Sequence, residues 1–213
     1  GAEAQNVNIS GSATRLTYQG GSGADNINVS GAMSNSNIDL GEGNNTFSAF
    51  NQTTNVRQNV TNTQITASGT EGNTLTLGKY TFSTANGNEI NLGSGANTVN
   101  MNSVTGKGSM GLTLIAGLGG AEAQNVNISG SATRLTYQGG SGADNINISG
   151  GMSHSNIDLG EGNNTFSAFN QTTSKRHNVT NTQITASGTE GNTLTLGKYT
   201  FNTATGNEIN LGS

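Results

Sequence analysis

Apolar residues recur at every second position along short stretches of this chain, and each stretch follows a glycine-rich turn. In "QNVNIS", "DNINVS", "NTFSAF", "NTLTL" and "NTVNM" the hydrophobic side chains alternate with Asn, Ser or Thr. Alternation of period two places one set of side chains on one face of a strand and the other set on the opposite face. Aligned on the turns "GGSGADNIN", "GEGNNTFS", "GTEGNTLTL" and "GSGANTVN", the first part of the chain divides into five rungs: 1–19, 20–40, 41–68, 69–92 and 93–116. The inward columns of the first strand are then Val7, Ile27, Phe47, Leu75 and Val99, followed by Ile9, Val29, Ala49, Leu77 and Met101. All ten are apolar.

After a second, variable turn each rung ends in another short strand: "RLTYQ", "SNIDL", "TQITAS", "GNEINL" and "GLTLIA". Tyr18, Ile38, Ile90 and Leu114 stack there as a further column, which predicts two narrow sheets facing each other across a thin core. A helical reading fails, because apolar residues do not recur at three and four and Asn, Thr and Gly are poor in helix interiors. The expected fold is all-β: a β-solenoid, of the parallel β-helix or β-roll kind, with about nine rungs of 19–28 residues. Rungs stacked at ~4.8 Å would advance a five-rung unit by roughly 24 Å.

The whole pattern occurs twice. Residues 1–94 match 120–213 at an offset of 119, and only eight pairs differ, among them Val29/Ile148, Ala32/Gly151, Asn35/His154 and Ser83/Asn202. The expected organisation is a five-rung unit over 1–119 and a second, incomplete copy over 120–213 that continues the same solenoid. Three of the eight differences lie where "NVRQ" at 55–58 becomes "SKRH" at 174–177. A packed core would resist the exchange of Val56 for Lys175, so this stretch is expected to be an exposed loop. Copies this similar read as neighbours in a longer array, and the chain reads as a window cut from a larger protein.

Composition narrows the classes. Hydrophobic residues make up 30% of the 213 and charged ones 9%; there are 33 glycines and no Pro, Cys or Trp. A thick core, a disulfide scaffold and a charged disordered tail are all disfavoured. Eight Lys and Arg, spread singly at a net charge of −4, argue against a nucleic-acid surface. The longest apolar stretch, "MGLTLIAGLGG", falls short of the ~18 residues of a membrane span.

Gly20 to Asn28 and Gly139 to Asn147 match the nonapeptide G-G-x-G-x-D-x-U-x residue by residue. In this the chain resembles the repeats-in-toxin, haemolysin-type β-solenoids of large secreted bacterial surface, adhesin and matrix proteins. The resemblance implies calcium held at the turns, with Asp25 and Asp144 as carboxylate ligands and Asp39 and Asp158, just before the following turns, as candidates to complete the site. The array departs from that family. The position of Asp25 is Asn45, Asn73 and Asn97 in the next rungs, Gln5 in the first, and Asn164 and Asn192 in the second copy, and such turns come once per 21 to 28 residues. Neutral amides are weak calcium ligands. They can instead hydrogen-bond along the solenoid as a ladder of stacked side chains. Metal site and amide ladder are thus two readings of one column.

The outward columns of the first strand are Asn6, Asn26, Thr46, Thr74 and Thr98 beside Asn8, Asn28, Ser48, Thr76 and Asn100, with no charge among them. Such a strip suits lateral packing of fibres, a glycan or host surface, or ordered water as on ice-binding solenoids, and it is also what alternation alone puts outside. Catalysis is not expected. His154 and His177 are Asn35 and Gln58 in the first copy, and no nucleophile with an adjacent base is visible. The expected function is a structural segment of a secreted or cell-surface bacterial fibre, matrix, surface layer or adhesin stalk. Its expected partners are copies of itself or adjacent repeats; the alternative is a surface-binding module.

Overall fold

The computed structural model describes residues 1–84, 88–202 and 208–212; among these the chain is all-β and contains no helix. Each rung carries three strands rather than the two expected. In rung one they are Asn6–Ile9, Ala13–Thr14 and Thr17–Gln19. Equivalent strands pair rung to rung into three parallel sheets, each with nine strands in sequence order along its path, and the chain winds about eight turns from first to last. We call the three sides A, B and C in the order the chain visits them.

Side B escapes the sequence pattern because its strands are only two or three residues long. A two-residue strand has one inward and one outward position, too few to display alternation. Its inward column is Ala13, Met33, Val60, Tyr80, Val104, Ala132, Met152, Val179 and Tyr199, in continuous register. The corner from B to C is turned in six rungs by a single left-handed residue: Arg15, Asn35, Asn62, Arg134, His154 and Asn181, with φ between 46° and 59°. Asn tolerates this conformation best, and Asn35/His154 is a change that keeps it. The His154 ring also keeps its neighbour: it lies 3.2 Å from Asn181 Nδ2, where Asn35 Oδ1 accepts from Asn62 Nδ2 at 3.1 Å.

The core is the enclosed space between the three sides. Ile27, Phe47, Leu75, Val99, Ile38, Ile65, Ile90 and Leu114 are fully buried, as the side A and side C columns require. Each apolar column stacks on itself, so burial depends on having a rung on either side. Phe82 in rung four is 9% exposed, while its repeat-mate Phe201 in rung nine is 61% exposed. Ile90 and Ile209 differ likewise, 0% against 44%.

The two copies join without a break. Thr98, Val99, Asn100 and Met101 of rung five pair in parallel with Asn125, Val126, Asn127 and Ile128 of rung six. In rungs three and eight the chain leaves side A through an antiparallel hairpin, in which Phe50 pairs with Arg57 and Asn51 with Val56, and Phe169 with Arg176 and Asn170 with Lys175. Val56 is 49% exposed and Lys175 is exposed. An apolar-to-cationic exchange costs little there.

Candidate functional site

Where side C turns into side A, one side chain per rung points into the turn. These are Gln5, Asp25, Asn45, Asn73, Asn97, Gln124, Asp144, Asn164 and Asn192. In all eight steps the backbone N–H of one member donates to the side-chain oxygen of the next. Gln5 N–H donates to Asp25 Oδ1 (2.9 Å), Asp25 to Asn45 Oδ1 (2.8 Å), Asn45 to Asn73 Oδ1 (3.2 Å) and Asn73 to Asn97 Oδ1 (2.9 Å). Asn97 donates to Gln124 Oε1 (3.1 Å), Gln124 to Asp144 Oδ1 (2.9 Å), Asp144 to Asn164 Oδ1 (2.8 Å) and Asn164 to Asn192 Oδ1 (3.0 Å). A buried amide N–H needs a partner, and no strand is present at the turn to supply one. The ladder does so.

The amide members use their second atom inside the turn. Asn45 Nδ2 donates to the carbonyls of Glu42 and Gly43, Asn97 Nδ2 to Gly95, and Gln124 Nε2 to Gly95 and Glu122. A carboxylate has no hydrogen to give in that way. Both Asp members instead accept from a phenol on side C: Tyr18 Oη donates to Asp25 Oδ2 and Tyr137 Oη to Asp144 Oδ2, each at 2.9 Å. In the other seven rungs the tyrosine column holds Ile or Leu. Tyrosine therefore occurs only where the ladder residue that follows it, seven positions on, is acidic.

Both aspartates are 1% exposed. Burial pushes the Asp144 carboxyl up to about 6, against the opposing pull of the Gln124 N–H and the Tyr137 hydroxyl. Burial, and then the neighbouring carboxylate, also raise the phenols, Tyr18 to about 12 and Tyr137 further. Asp39 and Asp158 sit one turn later and accept from the N–H of Gly41 and Gly160 at 3.1 Å. Thr66 and Thr185 hydroxyls approach the same oxygens at 3.4 and 3.5 Å.

As arranged, these residues do not fit a calcium site. Each oxygen of Asp25 and Asp144 already faces an N–H or O–H donor. At 1% exposure neither carboxylate is open to an entering cation and the waters that would complete its shell. Among the described residues no group of three or more His, Cys, Asp and Glu is gathered for one ion.

On side A the outward columns run unbroken through both copies. Asn6, Asn26, Thr46, Thr74 and Thr98 continue into Asn125, Asn145, Thr165 and Thr193; Asn8, Asn28, Ser48, Thr76 and Asn100 continue into Asn127, Asn147, Ser167 and Thr195. Neighbours in a column bond to one another, as Ser48 Oγ with the Asn28 amide (2.7 Å) and Ser167 Oγ with Asn147 Oδ1 (2.6 Å). Sequence reasoning missed a second uncharged column, on side B: Thr14, Ser34, Thr61, Thr81, Thr105, Thr133, Ser153, Thr180 and Thr200. Its signal is a Thr or Ser directly after each inward side B residue. Thr61 and Thr81 hydroxyls are 2.6 Å apart, and Thr180 and Thr200 3.0 Å.

The hairpin of rung three shelters a cleft of about 420 Å³ lined by Phe50, Asn55, Val56, Arg57 and Asn102. Arg57 reaches across it to Asn102 Oδ1 at 3.5 Å. The two histidines are not brought together as a pair: His154 is at the B-to-C corner of rung seven and His177 at the hairpin base of rung eight, where its N–H donates to the Ala168 carbonyl.

Comparison of the chain with protein-family models, with curated proteins and with solved structures finds no match.

Proposed function

We propose that the chain is a structural repeat segment of an extracellular bacterial fibre, matrix, surface layer or adhesin stalk, assembling by end-to-end and lateral stacking. The observation that carries this reading is the junction between the two copies, where rung five pairs with rung six in full register. A unit that adds to itself by the bonds that hold it together extends without a linker. Its stability comes from nearest-neighbour stacking, and each added rung covers the apolar column of the one before. The terminal Phe201 and Ile209 show what an uncovered column exposes. Secretion and the bacterial source rest on the resemblance of the Gly20 and Gly139 turns to toxin-type repeats.

The test is electron microscopy of the purified chain and of longer arrays. Filaments with an axial repeat of roughly 24 Å, five rungs at ~4.8 Å, support the reading, and discrete particles whose length does not grow with copy number count against it.

A second reading is a surface-binding module for glycan, a host surface or ice. The observation favouring it is the uncharged side A, whose hydroxyls and amides stand in register along all nine rungs, Asn28 alone in the strip being buried, with its amide held by Ser48. Changing Asn8, Thr76 and Asn100 to Lys separates the two readings. Loss of ligand binding with filaments intact favours the module; loss of assembly favours the fibre.

A further inference from the structure

The charges of this chain are sorted by side. All eight Lys and Arg lie on side B or at its two corners: Arg57, Lys175 and Arg176 on the hairpins, Lys79 and Lys198 at the entry to the strand, and Arg15, Lys107 and Arg134 at or just before the corner to side C. All twelve acids lie on side C or in the turn from C to A. Asp39, Glu89, Asp158 and Glu208 are on or beside side C strands, and Glu3, Glu42, Glu71, Glu122, Glu161 and Glu190 are in the turns with the ladder aspartates. Side A strands carry none. Both histidines fall on the basic arc. Among the described residues no Lys or Arg is paired with a carboxylate of the same chain.

In cross-section the solenoid thus has a neutral side, a basic side and an acidic edge, and the unit repeat carries each of them along the axis. Residues 1–119 carry four cations against five acids outside the ladder, and those acids are half-buried or exposed. From this we infer that the lateral partner of the chain is a second copy of itself, its acidic C-to-A edge set against the basic side B of the first. The inference rests on the fibre reading and specifies its side-by-side contact. Charge complementarity within one sequence is the argument for a copy rather than a foreign partner: each arc finds its opposite in the neighbour and none in its own chain. The contact is heterologous, so every docked copy leaves one basic and one acidic edge free, and the arrangement grows into a layer.

Single exposed ion pairs are worth about 0–1 kcal/mol and are screened within roughly 8 Å at physiological salt. One unit therefore associates weakly. A rigid array in register multiplies the contact along its length, so lateral affinity rises steeply with the number of units.

The experiment is sedimentation velocity of the 213-residue chain at about 10 mM and about 1 M ionic strength, where the screening length falls from roughly 30 Å to 3 Å. Two variants accompany it. One removes cations (Arg15→Asn, Lys79→Gln, Lys107→Gln, Lys175→Gln, Lys198→Gln), and the other removes turn acids (Glu42→Gln, Glu71→Gln, Glu161→Gln, Glu190→Gln). Circular dichroism checks that both keep the β signal. The wild-type chain is expected to at least double its apparent mass at low salt and return to monomer at high salt. Each variant alone is expected to stay monomeric, and the two mixed to form a one-to-one pair, because each retains the edge the other lacks. A monomeric wild type at low salt, unchanged association of either variant, or a mixture that stays monomeric each overturns the inference. So does binding of polyglutamate by a wild type that does not bind itself, which assigns side B to an anionic partner. Filaments with the unit repeat that never associate sideways overturn this contact and leave the fibre reading standing; lateral pairs without filaments do the reverse.

Discussion

Tyr137 donates its hydroxyl hydrogen to Asp144 Oδ2 at 2.9 Å, and one unit earlier Tyr18 does the same for Asp25. The pairing of two columns on different sides of a turn explains how an acid occupies a ladder otherwise built of amides. Burial in the ladder, against the pull of that phenol, makes Asp144 titratable near neutrality. The folded Asp144 carboxyl is held at about 6, above its ordinary value of 3.8, so the folded chain binds this proton more tightly than the unfolded one. Stability contributed here is full below pH ~4 and is lost as pH rises through about 6. The expected loss is on the order of 1–2 kcal/mol after allowing for screening by nearby water. Urea denaturation across pH 4 to 7 measures it. Asp144→Asn is expected to flatten the profile, and a variant with the wild-type slope would assign the effect elsewhere.

Removing a rung of the ladder is expected to cost more than removing its charge. Asn73→Ala leaves the Asn45 N–H without its acceptor and the Glu71 and Leu92 carbonyls without their donor. A loss of about 1–3 kcal/mol follows from buried groups left unsatisfied. Hydrogen exchange at Asn45 should rise first.

Side B is to be probed by two neighbours. Val104 is buried and Thr105 is exposed on the same three-residue strand. Val104→Asp is expected to unfold the array locally, and Thr105→Asp to shift the melting temperature little. Equal effects would mean that the short strand has no fixed inward face.

At the hairpin tip, Val56→Lys reproduces the residue of the second copy on an exposed site. A change within about 0.5 kcal/mol is expected by thermal denaturation.

Chelation is expected to leave the β signal in circular dichroism largely intact, because ladder and apolar columns are closed without a metal. Complete unfolding in chelator, reversed by calcium and abolished by Asp25→Ala with Asp144→Ala, would establish calcium at those turns instead.

Sides A and C could be read from the sequence because in the first copy their strands run three residues or more and repeat in register, so Ile27 beneath Phe47 and Ile90 beneath Leu114 appear as columns, while Ile65, which continues the second of these, escapes the sequence reading. Side B could not. Ala13–Thr14 and Met152–Ser153 are too short to alternate, and the corners after them are turned by Arg15 and His154, which carry no turn signature. The amide column was visible as a column, whereas the N–H donors that bind it lie on the preceding rung and are the same in every residue. Sorting of the charges became visible only with the third side, since in the linear chain Lys79 and Glu71 stand eight residues apart with nothing to separate them.

The ladder has one further consequence. Every bond in it runs the same way, from a backbone N–H to the side-chain oxygen of the following rung, so the two ends of a stack are chemically unlike. The leading end at Asn192 offers a hydrogen, and the trailing end at Gln5 offers a lone pair. Reversed addition would bring hydrogen to hydrogen or oxygen to oxygen. A filament of such units has an arrow, and anything built from it can tell its tip from its root.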